Sequence, residues 1–141
     1  EMAALAYAAS TCEQARPSVL RVADVTGMLP MEEIDSRGGL SCMWLDTGSG
    51  HSLNLSLEKQ PGLASLPVVA PASATPAPLF EQHGGSAITV VHTDANTTSR
   101  TVIHVAPGIQ LSIIHSVPAR DAAALMSTDL AYQVALDLLQ Q

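Results

Sequence analysis

Cations are nearly absent from this chain. Its 141 residues include one lysine, Lys59, and five arginines against 13 acidic residues, which leaves a net charge of −7. Nucleic acid is a poor partner for such a surface, because phosphate binding needs clustered Lys and Arg. Attachment to an anionic membrane by charge is disfavoured for the same reason. Aromatic residues are also scarce: Tyr7, Trp44, Phe80 and Tyr132 are all of them. Few rings are therefore spare for stacking on bases, and Ala, Val and Leu must fill the core. Charged residues total only 13%, about half the share usual in soluble domains. No apolar run reaches the roughly 18 residues of a membrane span. Residues 1–10 are apolar but lack a basic flank, so they read as a short Ala-rich helix in preference to the tail of a signal peptide.

What is present fits one domain over residues 1–141, with 47% hydrophobic residues. A chain of this length buries roughly two-thirds of its unfolded surface. After an N-terminal extension (1–11), residues 13–29 read as a helix, with Pro17 suited to a first turn and Gly27 to the position past the end. Residues 30–39 read as a polar connection. The clearest pattern follows. In His51-Ser52-Leu53-Asn54-Leu55-Ser56-Leu57-Glu58 apolar and polar residues alternate strictly, the mark of a half-buried strand. Leu40, Cys42 and Trp44 alternate in the same way before it. Folding the two runs about Thr47-Gly48-Ser49-Gly50 sets Asp46 opposite His51, Trp44 opposite Leu53, Cys42 opposite Leu55 and Leu40 opposite Leu57. A slip of one residue would destroy this agreement.

Five prolines in residues 61–78 indicate a long extended crossover within the domain. Three strands are expected at 86–93, 99–106 and 109–117, with turns at Asn96-Thr97 and Pro107-Gly108. A last helix runs from Ser127 or Thr128 to Leu139, with Leu130, Ala131, Val134, Ala135 and Leu138 along one side. The expected fold is α+β: an antiparallel sheet of about five strands with N- and C-terminal helices packed on one face.

Cys12 and Cys42 are either two buried thiols or one bridge. Cys42 points into the expected core and Cys12 sits just before the first helix, a placement that favours the bridge and an extracytoplasmic home. The succession Cys12-Glu13, Val25-Thr26-Gly27, Cys42-Met43-Trp44 and a final Leu130-Ala131-Tyr132-Gln133-Val134-Ala135 resembles an uncharacterised actinobacterial family of secreted lipoproteins. The resemblance implies a secreted or cell-envelope binding or sensing module, and it supplies no catalytic residues.

Two features carry possible chemistry. Asp46-Thr47-Gly48-Ser49 spells the catalytic loop of aspartic proteases, in which two such carboxylates share a proton. One copy per chain would require a homodimer. The flanking alternation closes at once into a hairpin, however, and these four residue types are also those that turns prefer. The second feature is His92, His104 and His115, each following two β-branched residues on its own strand. Zinc could be held by three imidazoles, but the expected registers place His92 on the other face from His104, and His115 about 13 Å along the partner strand. These are then half-exposed strand histidines, and the sheet face carrying His104 and His115 is the expected ligand surface. No metal or other cofactor is expected. The leading expectation is a non-catalytic extracytoplasmic module that binds a small molecule or an envelope protein. The alternative is a homodimeric aspartic protease using Asp46.

Overall fold

A computed structural model describes residues 11–22, 28–34, 39–59, 75–76, 86–106 and 109–140. The N-terminal extension, most of the 61–78 crossover, the helix end at Gly27 and the Pro107-Gly108 turn lie outside the described residues. The elements are α1 (Cys12–Val19), β1 (Met31–Ile34), β2 (Leu40–Leu45), β3 (Ser52–Lys59), β4 (Thr75–Pro76), β5 (Ser86–Thr93), β6 (Thr97–Ala106), β7 (Ile109–Pro118), a 3-10 helix (Ala119–Ala124) and α2 (Thr128–Gln140).

The first helix is shorter than its sequence suggests. Thr11 caps it, its hydroxyl accepting from Gln14 N–H at 3.2 Å. Glu32 reaches the same end and accepts from Cys12 N–H at 2.7 Å, which satisfies a free backbone donor beside the positive pole of the helix. Pro17 lies inside the helix and not in its first turn; with no N–H to donate, it removes a rung of the ladder. The chain tightens to three-residue turns directly afterwards, with Arg21 N–H on Ser18 O and Val22 N–H on Val19 O.

All the strands pair antiparallel, in the order β1-β2-β3-β7-β6-β5-β4. Among the described residues, the expectation of about five strands is corrected to six of four or more residues, with the two-residue β4 at one edge. β1 falls within residues 30–39, expected as a polar connection, of which 35–38 lie outside the described residues. Its four residues are all exposed, Met31 by 62% and Ile34 by 55%, so it carries no alternation to read and is held by pairing with β2. β4 falls in the proline-rich stretch, where Pro76 is tolerated because the strand is an edge.

The β2–β3 register is the one the alternation demands: Leu40↔Leu57, Cys42↔Leu55 and Trp44↔Leu53. At the β5–β6 turn the register moves by two residues. Asp94 Oδ1 accepts from both Asn96 N–H (2.8 Å) and Thr97 N–H (2.9 Å). That side-chain turn makes Ala95-Asn96 the loop in place of Asn96-Thr97, so His92 opposes Ser99 and not Thr101.

Paired residues across the sheet share a face, and the middle of one face is mainly apolar. Leu40, Leu57 and Leu111 form one row, and Cys42, Leu55, Ile113 and Val102 form the next. These side chains belong to a single buried cluster with Ala15 and Val19 of α1 and Ala131, Val134, Ala135 and Leu138 of α2. Ser127 starts α2, its hydroxyl accepting from Leu130 N–H at 3.2 Å. A Cys12–Cys42 disulfide joins the first turn of α1 to the middle of β2, with both residues buried.

The bridge closes a loop between residues 30 apart in sequence, which restricts the unfolded chain by about 3–4 kcal/mol. The double variant Cys12→Ala/Cys42→Ala should therefore lose about that much stability in urea unfolding. An unchanged midpoint would show that α1 is held by packing alone.

Candidate functional site

The site is built at the mouth of the β2–β3 hairpin. Asp46 closes the mouth through its backbone: its N–H donates to His51 O at 2.9 Å, and its carbonyl accepts from Gly50 N–H at 2.8 Å. Gly50 takes a φ of 79°, a conformation glycine adopts without strain. The Asp46 carboxylate accepts from Gly48 N–H at 3.0 Å and from the Ser49 hydroxyl at 2.9 Å. The Ser49 hydroxyl, with Gly48 N–H, holds the carboxylate below its ordinary pKa. Asp46 is thus an ionised rim group whose hydrogen-bond partners come from its own turn. The second carboxylate of a proton-sharing pair would have to come from another copy of the chain.

His51 leaves the same loop. Its Nε2 lies 2.9 Å from Asp121 Oδ2, on the 3-10 helix 70 residues later in the chain. Ser49, His51 and Asp121 are the residue types of a nucleophilic relay. Ser49 Oγ–H donates to Asp46, however, and not to His51, so the serine is not activated by the imidazole.

Below the rim runs the row Trp44–Leu53–His115–Arg100, one residue from each of β2, β3, β7 and β6. The expectation of a half-exposed His115 is corrected: the residue is 1% exposed. Its parity on β7 is that of Leu111, Ile113 and Val117, so it faces the core with them. Met126 N–H donates to His115 Nδ1 at 3.0 Å. Arg100 grips the same residue from its other side, with Nε donating to Met126 O at 2.7 Å and Nη1 to Thr128 Oγ1 at 2.7 Å. Since Nδ1 accepts, the proton of the neutral ring is on Nε2. Burial pushes the His115 pKa down to about 4, and the neighbouring His51 acts in the same direction. His115 is therefore neutral at pH 7.

The rim and the Trp44, Leu53 and His115 members of this row line a cleft of about 320 Å³, a size typical of small-ligand sites. Val22, Met28, Leu53 and Ala124 give it apolar walls; Asp46, Ser49, His51 and Ser52 give it a polar side; Trp44 and His115 complete the lining. Trp44 Nε1 and His115 Nε2 are both buried with no hydrogen-bond partner. Buried donors are almost always paired, so two orphans in one cleft call for explanation.

The structure thus gathers Asp46 and His115 into one site and places the Cys12–Cys42 bridge two residues along β2 from Trp44. It does not bring His104 there. On the backbone His104 pairs with Leu111 and Ala87, four residues along β6 from the Arg100 that pairs with His115, or about 13 Å away. His92 has the opposite parity. Among the described residues no three His, Cys, Asp or Glu side chains are placed to hold a metal ion. Sequence reasoning missed the indole N–H of Trp44 as a functional group, although a lone core Trp beside a turn of polar residues signals one. Nothing local could have revealed the His51–Asp121 pair.

Comparison with known proteins finds no matching family model, curated protein or solved structure.

The buried imidazole sets an acid limit on the fold. Unfolded, a histidine takes up its proton near pH 6.5; here it does so only near 4. The unfolded state therefore binds more protons between those values. Stability should be full above pH 6.5 and fall by about 3 kcal/mol as the pH drops from 6.5 to about 4. In His115→Asn the amide oxygen can still accept from Met126 N–H but nothing titrates, so this limb of the pH–stability curve should flatten. Urea unfolding across the range reads the difference, and an equally steep loss in the variant would assign the acid limb to other groups.

Proposed function

We propose that this chain is a non-catalytic, extracytoplasmic binding or sensing module of the cell envelope, and that its ligand is a small molecule held in the cleft at the β2–β3 hairpin mouth. In this reading both helices cover one face of the sheet, and the cleft opens where that layer ends beside the 3-10 helix. The observation that carries the proposal is the pair of buried, unpartnered donors, Trp44 Nε1 and His115 Nε2, in one cleft. Leaving a buried donor unpaired costs about 1–3 kcal/mol. A ligand that accepts from either group recovers that cost, which is how a cleft of modest size becomes selective.

The extracytoplasmic part is supported by the buried disulfide, since such bridges persist in oxidising compartments. No helix among the described residues is long and apolar enough to cross a membrane, and the Cys12…Gly27…Cys42-Met43-Trp44 likeness to secreted lipoproteins points the same way. The absence of catalysis is supported by the hydrogen bonding of the polar groups. Asp46 is bound up in its turn, Ser49 donates to it, and His51 faces Asp121. Neither Asp46 nor Ser49 is left poised as base or nucleophile, and Ser49 does not donate to His51.

Ala124 lines the cleft yet is exposed, so Ala124→Trp should fill the cleft without disturbing the core. A thermal-shift screen of a diverse fragment library against wild type and variant tests the proposal. Compounds that raise the wild-type Tm should lose most of that effect in Ala124→Trp, while the ligand-free Tm values agree within a few degrees. Equal stabilisation of both proteins, or no stabilising compound at all, would contradict it.

A further inference from the structure

We infer that the cleft is built for an uncharged amide-type ligand, whose carbonyl oxygen accepts from the buried Trp44 and His115 N–H groups and whose own N–H faces the Asp46 carboxylate. The inference rests on the proposed binding role of this cleft and adds the chemistry of what it takes.

Three observations fix that chemistry. First, both deep polar groups are donors. Indole Nε1 has no other option, and His115 has none either, because Met126 N–H occupies its Nδ1 and leaves the proton on Nε2. The floor of the cleft thus asks for an acceptor and rejects an ammonium group. Second, the acceptor cannot be an anion. Asp46 lies in the lining and is held as a carboxylate by Ser49 and Gly48, and among the described residues no Lys or Arg lines the cleft. Arg100, beside His115 in the row, gives its donors to Met126 O, Thr128 Oγ1 and Thr89 Oγ1. Arg120 near the rim donates to Ser49 O at 3.5 Å and does not line the cleft. A carboxylate or phosphate entering here would lose its water without gaining a cation. Third, the rim supplies the complementary acceptor. The Asp46 oxygens accept hydrogen bonds from Gly48 and Ser49 of the turn, and a carboxylate, with about four lone-pair sites, has room for more. A molecule carrying C=O and N–H on a small apolar body matches the floor, the rim and the Val22, Met28 and Leu53 walls together.

The chain has one tryptophan, so its indole N–H gives a single, unambiguous NMR reporter on the cleft floor. The experiment titrates the ¹⁵N-labelled protein at neutral pH and constant ionic strength with δ-valerolactam, with sodium valerate as a carboxylate of matched carbon count, and with inorganic phosphate. The lactam should shift the Trp44 indole peak in a saturable manner, and valerate should bind about tenfold or more weakly. In Asp46→Asn, checked first for an unchanged spectrum elsewhere, the lactam-over-valerate preference should shrink. If valerate or phosphate saturates the same peak as well as the lactam does, the ligand class is wrong while the cleft remains a binding site. If no titrant moves the peak, both the ligand class and the binding role are overturned.

Discussion

One hydrogen bond organises the cleft end of this protein: Met126 N–H to the buried Nδ1 of His115. It anchors the chain just before α2 to the middle of the sheet. Arg100, the cross-strand neighbour of His115, completes the grip through Met126 O and Thr128. A charged imidazole cannot accept this bond, so the contact requires the neutral ring and dictates which nitrogen carries the proton. The remaining nitrogen is then a buried donor with nothing to receive it, on a residue that lines the cleft. One contact thus sets the position of α2, the charge state of the core and the polarity of the cleft floor.

The hairpin supplies the other half. The β2–β3 register brings Trp44 into the same row as His115, with Leu53 between them, and sets Asp46 at the rim above. The tetrad Asp46-Thr47-Gly48-Ser49 does turn chemistry in this setting: its carboxylate accepts from Gly48 and Ser49 while its backbone closes the loop against Gly50 and His51. The same bonds keep the carboxylate charged, so a turn residue becomes the feature that repels anions. The disulfide two residues from Trp44 ties α1 to this strand, and Val22, just beyond α1, lines the cleft. Stability and site geometry are linked here through β2.

Much of this was legible in the sequence. Period-two alternation gave the hairpin and its register, because an apolar face must be continuous across paired strands. The placement of Cys42 by that register, with Cys12 just before the first helix, favoured the bridge that the structure holds. Even the burial of His115 was signalled, since it shares parity with Leu111, Ile113 and Val117 on β7; a histidine is simply easy to assign outward. Other features left no such trace. β1 is exposed along its whole length, so its pairing is a backbone affair with no side-chain pattern. The β5–β6 loop was decided by the Asp94 carboxylate, which captures two N–H groups and outcompetes a turn one residue later. The His51–Asp121 contact spans 70 residues and depends on where the 3-10 helix lands.

The central claim is that His115 is a neutral Nε2–H donor held by Met126. Two-dimensional long-range ¹H–¹⁵N spectroscopy of the imidazole side chains reads that state directly. The His115 nitrogens should show the Nε2–H tautomer at pH 7 and keep it down to about pH 5, because burial lowers the pKa to about 4, while the half-exposed His51 gives a separate signal. An Nδ1–H tautomer at pH 7, or a His115 ring that is charged by pH 6, would contradict the account.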